Sequence, residues 1–147
     1  WATSEVLRFL PESHPLRTGI VNIYRNHLKA LVSYQASSGL WHQVLDRPDS
    51  YEETSCTAMY LIGMARGLCS GILDSSFVAP MEKAWSGLQS RISSDGIVRD
   101  ICRGTEMSED LEYYFKRERF DNDPRGLGAV ITACTEMMKF GNRETTK

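Results

Sequence analysis

The densest chemistry in the chain lies between Gly39 and Ser55, Gly-Leu-Trp-His-Gln-Val-Leu-Asp-Arg-Pro-Asp-Ser-Tyr-Glu-Glu-Thr-Ser. Two aromatic residues, a histidine, a glutamine and four carboxylates share this short stretch. Flat apolar faces stack on sugar rings, and a few polar groups hold hydroxyls or a carboxylate, so the mixture suits a saccharide site. Trp41, His42, Gln43 and Tyr51 are the candidate sugar contacts, with Glu53 ordering the loop. Each residue also has a plainer reading. Ser50-x-x-Glu53 matches a capping box. Trp41 serves equally as a core anchor, and His42 suits a structural hydrogen bond as well as catalysis. Asp46 and Asp49 flank Pro48 in a turn, where aspartates need no further role. Trp85 reads as core, and Lys116-Arg-Glu-Arg119 as a solvated mixed-charge face.

Helices must position these residues, and they alternate in character. Leu16 to Gln35 and Pro80 to Ile92 are amphipathic: Ile20, Tyr24, Leu28 and Leu31 form one stripe, and Met81, Ala84, Trp85 and Leu88 the other. Tyr51 to Leu68 and Arg125 to Phe140 carry the runs CTAMYLIGMA and GLGAVITACT, apolar on every face, and are expected to be buried all round. The order is outer, inner, outer, inner. The extended stretches around Gly39 and Gly96 resemble each other at a spacing of 57 residues, a repeat that points to stacked helical hairpins. Inner helices without a polar face favour a ring over an open stack. The expected fold is all-α, a partial (α/α)6 toroid of about two and a half hairpins extrapolated from this repeat. A full six-hairpin ring at this period needs roughly 340 residues. The loops entering the inner helices converge at one mouth, just before Tyr51 and just before Arg125.

Composition narrows the function. The 147 residues carry 17 basic and 19 acidic side chains, a formal charge of −2. Neither nucleic acid nor a bilayer is an expected partner, because a basic footprint and a run of about 20 apolar residues are both missing. Cys56, Cys69, Cys102 and Cys134 lack zinc-ligand spacing, and neither a metal nor a cofactor is expected. Cysteines within apolar segments favour a reducing compartment, with cytoplasm preferred to secretion. The chain opens on Trp1 and reads as processed or cut from something longer.

The run Gly39 to Asp46, followed by Ser50-Tyr-Glu-Glu-Thr-Ser55 and an apolar helix, resembles the unsaturated rhamnogalacturonyl and glucuronyl hydrolases of glycoside hydrolase families 88 and 105. Gly71-Ile-Leu-Asp74, Ala84-Trp85-x-Gly87-Leu88, Asp95-Gly96, Gly104-Thr105, Tyr113-Tyr114 and Asp123-x-Arg-Gly-x-Gly-Ala129 extend the resemblance over the whole chain. Arg125 stands where many members have histidine. The resemblance implies a six-hairpin toroid of which residues 1–147 are the C-terminal part. It implies hydration of the C4=C5 double bond of an unsaturated uronic acid in a lyase-generated oligosaccharide. It also implies that Trp1 closes an Arg-Gly-Asn-Gly-Trp segment and approaches the substrate, and that the catalytic aspartate lies upstream, leaving this chain inactive alone with no catalytic residue of its own. The implied partners are the saccharide and either the remaining hairpins of the ring or a second copy through exposed inner helices. The competing expectations are a non-catalytic helical-repeat binding module and a six-hairpin glycosidase of other specificity.

Overall fold

A computed structural model describes residues 1–144. Six α-helices, α1 (Ala2–Phe9), α2 (Arg17–Ser33), α3 (Thr54–Cys69), α4 (Val78–Ser90), α5 (Leu111–Phe115) and α6 (Pro124–Glu144), are joined by loops. The loops carry four two-residue strands, β1 (Trp41–His42), β2 (Glu52–Glu53), β3 (Ile101–Cys102) and β4 (Arg119–Phe120). The apolar run of α3 makes it the centre: Ala58, Leu61, Ile62, Met64 and Ala65 are buried, and the helix packs most extensively on α6 and then on α4. The amphipathic α2 and α4 lie outside, burying Tyr24, Leu28 and Leu31 on one and Met81, Ala84 and Leu88 on the other. The alternation of outer and inner helices expected from the sequence is present.

Several details differ from expectation. The inner helix α3 begins at Thr54, because Glu52–Glu53 pair as a strand with Trp41–His42. The helix α1, which the resemblance implies as an inner helix opened by Trp1, leaves no mark in the periodicity; its eight residues bury only Ser4 and Leu7, too few to show a period. Burial of α6 is one-sided: Ile131 and Met138, two turns apart, are 59% and 70% exposed. Trp85 is half-buried between α4 and α6 rather than enclosed.

The repeat read from Gly39 and Gly96 corresponds to two equivalent turns, with φ of 91° and 84°. At Gly39 the requirement is absolute, since a Cβ there would lie 2.1 Å from the Lys83 carbonyl oxygen. After each turn the chain enters an antiparallel pair, Trp41↔Glu53 with His42↔Glu52, and Ile101↔Phe120 with Cys102↔Arg119.

Far along α3, Arg66 ties three helices together, donating to Glu5 of α1 and, at 3.1 Å, to Glu136 of α6. Burial acts to raise the Glu136 pKa, but hydrogen bonds and charge from Lys139 and Arg66 outweigh it and hold the carboxyl below its ordinary range. A carboxyl group whose folded pKa is depressed adds stability above its unfolded pKa, about 4, and loses it as pH falls through the folded value. The expected difference in melting temperature between wild type and Glu136→Gln is therefore constant near neutrality. It closes as pH drops below about 4; a gap that persists in acid contradicts this assignment.

Candidate functional site

Glu53 organises the mouth. It is 3% exposed, and its carboxylate accepts from the backbone N–H groups of Ser55 (2.9 Å), Cys56 (2.6 Å) and Cys102 (2.9 Å), and from the Ser55 hydroxyl. Two of those N–H groups belong to the first turn of α3 and the third to β3, so one side chain caps the inner helix and ties the two loop ladders together. The side-chain geometry corrects the capping box: Glu53 is itself the N-cap of α3. The Ser50 hydroxyl instead closes the preceding turn, donating to the Arg47 carbonyl and accepting from the Val44 N–H. Thr54 adds a second tie, its hydroxyl donating to the Arg99 carbonyl at 2.7 Å.

Around this anchor runs a chain of ion pairs. Arg91 bridges Glu52 (2.7 Å) and Asp100, and Asp100 also accepts from Arg119, whose guanidinium lies 4.7 Å above the Tyr51 ring. Asp100 and Asn122 take the left-handed conformation that aspartate and asparagine tolerate, with φ of 58° and 54°. The start of α6 is pressed against the start of α3: a Cβ on Gly126 would lie 2.7 Å from Ser55 Cβ and 2.5 Å from Ile101 Cγ2. One residue earlier, Arg125 is clamped by Asp123 through Nε (2.8 Å) and Nη2 (2.6 Å). No spacing or motif marks Arg91 or Arg119 for these roles, because their partners lie 9 to 39 residues away along the chain. The Asp123-x-Arg125 spacing was the available signal for the clamp.

The candidate residues divide. His42, Gln43, Tyr51 and Glu53 share the loop with Trp41, but Trp41 is fully enclosed, its indole N–H donating to the Leu31 carbonyl at 2.7 Å. Trp41 is thus a core anchor, edge-on to Tyr60 with ring centroids 5.2 Å apart, and not a stacking surface. His42 Nδ1 lies 2.6 Å from the Ser50 carbonyl oxygen, which only accepts; Nδ1 therefore carries a proton, and Nε2 is left without a protein partner among the described residues. Gln43 is fixed by its backbone N–H to the Tyr51 carbonyl at 2.8 Å. The Tyr51 hydroxyl is buried beside the Cys102 thiol without a hydrogen bond among the described residues. Burial, then Cys102 and Glu53, push its pKa upward and keep it neutral. Trp1 stands apart, 41% exposed at the head of α1, where it lines a cleft of about 1160 Å³ with Phe9, Ile23, Met59 and Tyr60.

Burial, reinforced by Glu53, pushes the Cys56 pKa well up, so this thiol is no nucleophile. Asp49, Asp74, Asp95 and Asp123 are held below the ordinary range by hydrogen bonds from Arg47, Ser76, Ser93 and Arg125 respectively. A general acid working near neutral pH needs the opposite shift. Among the described residues no group of three or more His, Cys, Asp or Glu side chains is arranged to hold a metal. None of the described helices is long and apolar enough to cross a membrane.

The sequence profile of Glycosyl Hydrolase Family 88 matches residues 1–141. The chain belongs to that family. It is 32% identical to the unsaturated rhamnogalacturonyl hydrolase YesR of Bacillus subtilis (strain 168), with 97% of this chain and 41% of the relative aligned. It is 29% identical to the unsaturated 3S-rhamnoglycuronyl hydrolase of Alteromonas sp. (strain LOR), covering 90% of this chain and 32% of that protein. Among solved structures, a possible member of the GH105 family from Salmonella enterica serovar Paratyphi A superposes with a TM-score of 0.87 at 29% identity, over 93% of this chain and 36% of that one. A family 105 glycoside hydrolase from C. acetobutylicum gives a TM-score of 0.86 at 26% identity, over 94% and 42%. The all-α arc expected from periodicity is thus the family 88 and 105 fold, and the chain spans about a third to two-fifths of the relatives it matches.

Proposed function

We propose that the protein is an unsaturated uronyl hydrolase and that residues 1–147 are the C-terminal arc of its ring, forming one wall of the saccharide mouth. One observation carries this reading: in a family 88 chain, the starts of α3 and α6 are drawn together by Glu53 and the Gly126–Ser55 contact, beside the Gly39–Ser55 loop with its sugar-binding residue types. The relatives named above act on unsaturated rhamnogalacturonyl or 3S-rhamnoglycuronyl saccharides, which supports a saccharide of that class here.

In the proposed reaction a carboxylic acid gives its proton to C4 of the unsaturated uronyl ring. Water adds its oxygen to C5 and returns a proton to the carboxylate; the resulting hemiketal opens and releases the saccharide. The downward displacement of Asp49, Asp74, Asp95, Asp123 and Glu136 supports placing the acid on another part of the ring. This chain supplies binding: His42 Nε2 and the Gln43 amide as hydrogen-bonding groups, and Trp1 as an apolar face. The Tyr51 phenol ring backs the loop, and Glu53 holds it in place.

The part of the cleft formed by the exposed Phe9 and Ile23, away from Trp1, and the exposed stripe of Ile131 and Met138 on α6 are the seats of neighbouring hairpins of the same ring. Loss of the ultraviolet absorbance of the C4=C5 double bond tests the whole reading. The complete ring is expected to consume the chromophore of an unsaturated rhamnogalacturonyl disaccharide, and the isolated 147 residues to leave it intact. Turnover by the isolated chain contradicts the placement of the acid, and an inert complete ring contradicts the activity.

A further inference from the structure

Asp123 and Arg125 form a unit with one side buried and one side open. Asp123 is 5% exposed, and its carboxylate accepts from the Arg125 backbone N–H (2.9 Å), Nε (2.8 Å) and Nη2 (2.6 Å). Arg125 itself is 54% exposed. Of its five N–H groups the clamp engages Nε and Nη2, leaving the Nη1 edge without an acceptor among the described residues. A guanidinium already held in plane by a buried carboxylate loses little rotamer freedom when it takes a further acceptor.

Its surroundings keep that edge open and place it at the mouth. The Gly126–Ser55 contact sets Arg125 beside the start of α3. On the other side stands Gly104, where a Cβ would come within 3.8 Å of Arg125 Cδ and 4.0 Å of Nη1; glycine leaves that ground unfilled. The nearby Gly104 carbonyl is already taken by Arg117, whose Nε donates to it at 2.9 Å while its guanidinium lies 4.8 Å above the Tyr113 ring. The other nearby cation, Arg103, is paired with Glu118.

We propose that Arg125 is a specificity-determining residue whose free Nη1 edge binds an anionic oxygen group of the saccharide. Two sources share this chemistry: the carboxylate of the unsaturated uronyl ring and a sulfate ester on the neighbouring sugar. The inference rests on the proposed function, since it takes the mouth to be a saccharide site.

The test uses the complete protein and two unsaturated disaccharides that differ only in a sulfate ester on the second sugar. Chromophore loss gives kcat and KM. Calorimetry with the corresponding saturated disaccharides, which cannot be hydrated, gives Kd independently of turnover. Arg125→Gln is expected to raise KM and Kd about 10- to 100-fold, the loss of one charge-assisted contact, with kcat within about twofold. Asp123→Asn/Arg125→Gln leaves no buried carboxylate stranded and is expected to show the same shift. A loss with both sugars identifies the carboxylate, and a loss confined to the sulfated sugar identifies the ester. KM and Kd unchanged for both sugars overturn the proposal, as does a fall in kcat alone. Wild-type protein that binds both saturated sugars but consumes neither unsaturated one refutes the proposed function while Kd still reports on Arg125. Wild-type protein that binds neither saturated sugar overturns the Arg125 proposal.

Discussion

Glu53→Ala is expected to destabilise the protein by about 3–5 kcal/mol, because it strands three N–H groups that now share one buried carboxylate. Those donors belong to Ser55, Cys56 and Cys102, so the substitution uncaps α3 and unties β3 from it in a single step. Glu53→Gln keeps the side-chain volume and one accepting oxygen, but turns an amide NH2 toward a backbone N–H; about half of the loss is expected to remain. Denaturant midpoints of the two variants measure this. If Glu53→Ala unfolds at the wild-type midpoint, Glu53 does not organise the mouth.

Trp41→Ala is the second large effect, also about 3–5 kcal/mol, the range for deleting a buried aromatic side chain. The indole is fully enclosed, so the substitution opens a cavity between α2 and α3 and leaves the Leu31 carbonyl without its donor. Trp1→Ala provides the contrast. At 41% exposed, Trp1 contributes less to stability, and its replacement is expected to weaken saccharide binding with a change in melting temperature of only a few degrees. Equal destabilisation by the two substitutions contradicts this division between a core tryptophan and a site tryptophan.

Much of this architecture was legible in the residues, for physical reasons. An apolar run such as CTAMYLIGMA cannot face water on any side, so the inner position of α3 follows from composition. Gly39 and Gly96 share a left-handed turn that glycine adopts freely, which made the repeat visible. The capping role of Glu53 was legible only as a type. Ser50-x-x-Glu53 fits a capping box as well as it fits a turn followed by an N-cap, and the pairing of Glu52–Glu53 with Trp41–His42 decides between them. The fate of Trp41 was open for a similar reason, since an indole suits a core or a sugar equally until its N–H partner, the Leu31 carbonyl, is known. The Asp123–Arg125 clamp depends on side-chain rotamers, and Asp-x-Arg allows many arrangements besides this one.

Saccharide is expected to bind at the mouth where α3 and α6 begin. A crystal structure of the complete protein with a saturated disaccharide bound measures this directly. Sugar oxygens are expected within hydrogen-bonding distance of His42, Gln43 or Arg125, with Glu53 and Trp41 behind the loop and out of contact. Sugar seated instead in the groove lined by Trp85, Met137 and Phe140, between α4 and the far end of α6, would contradict it.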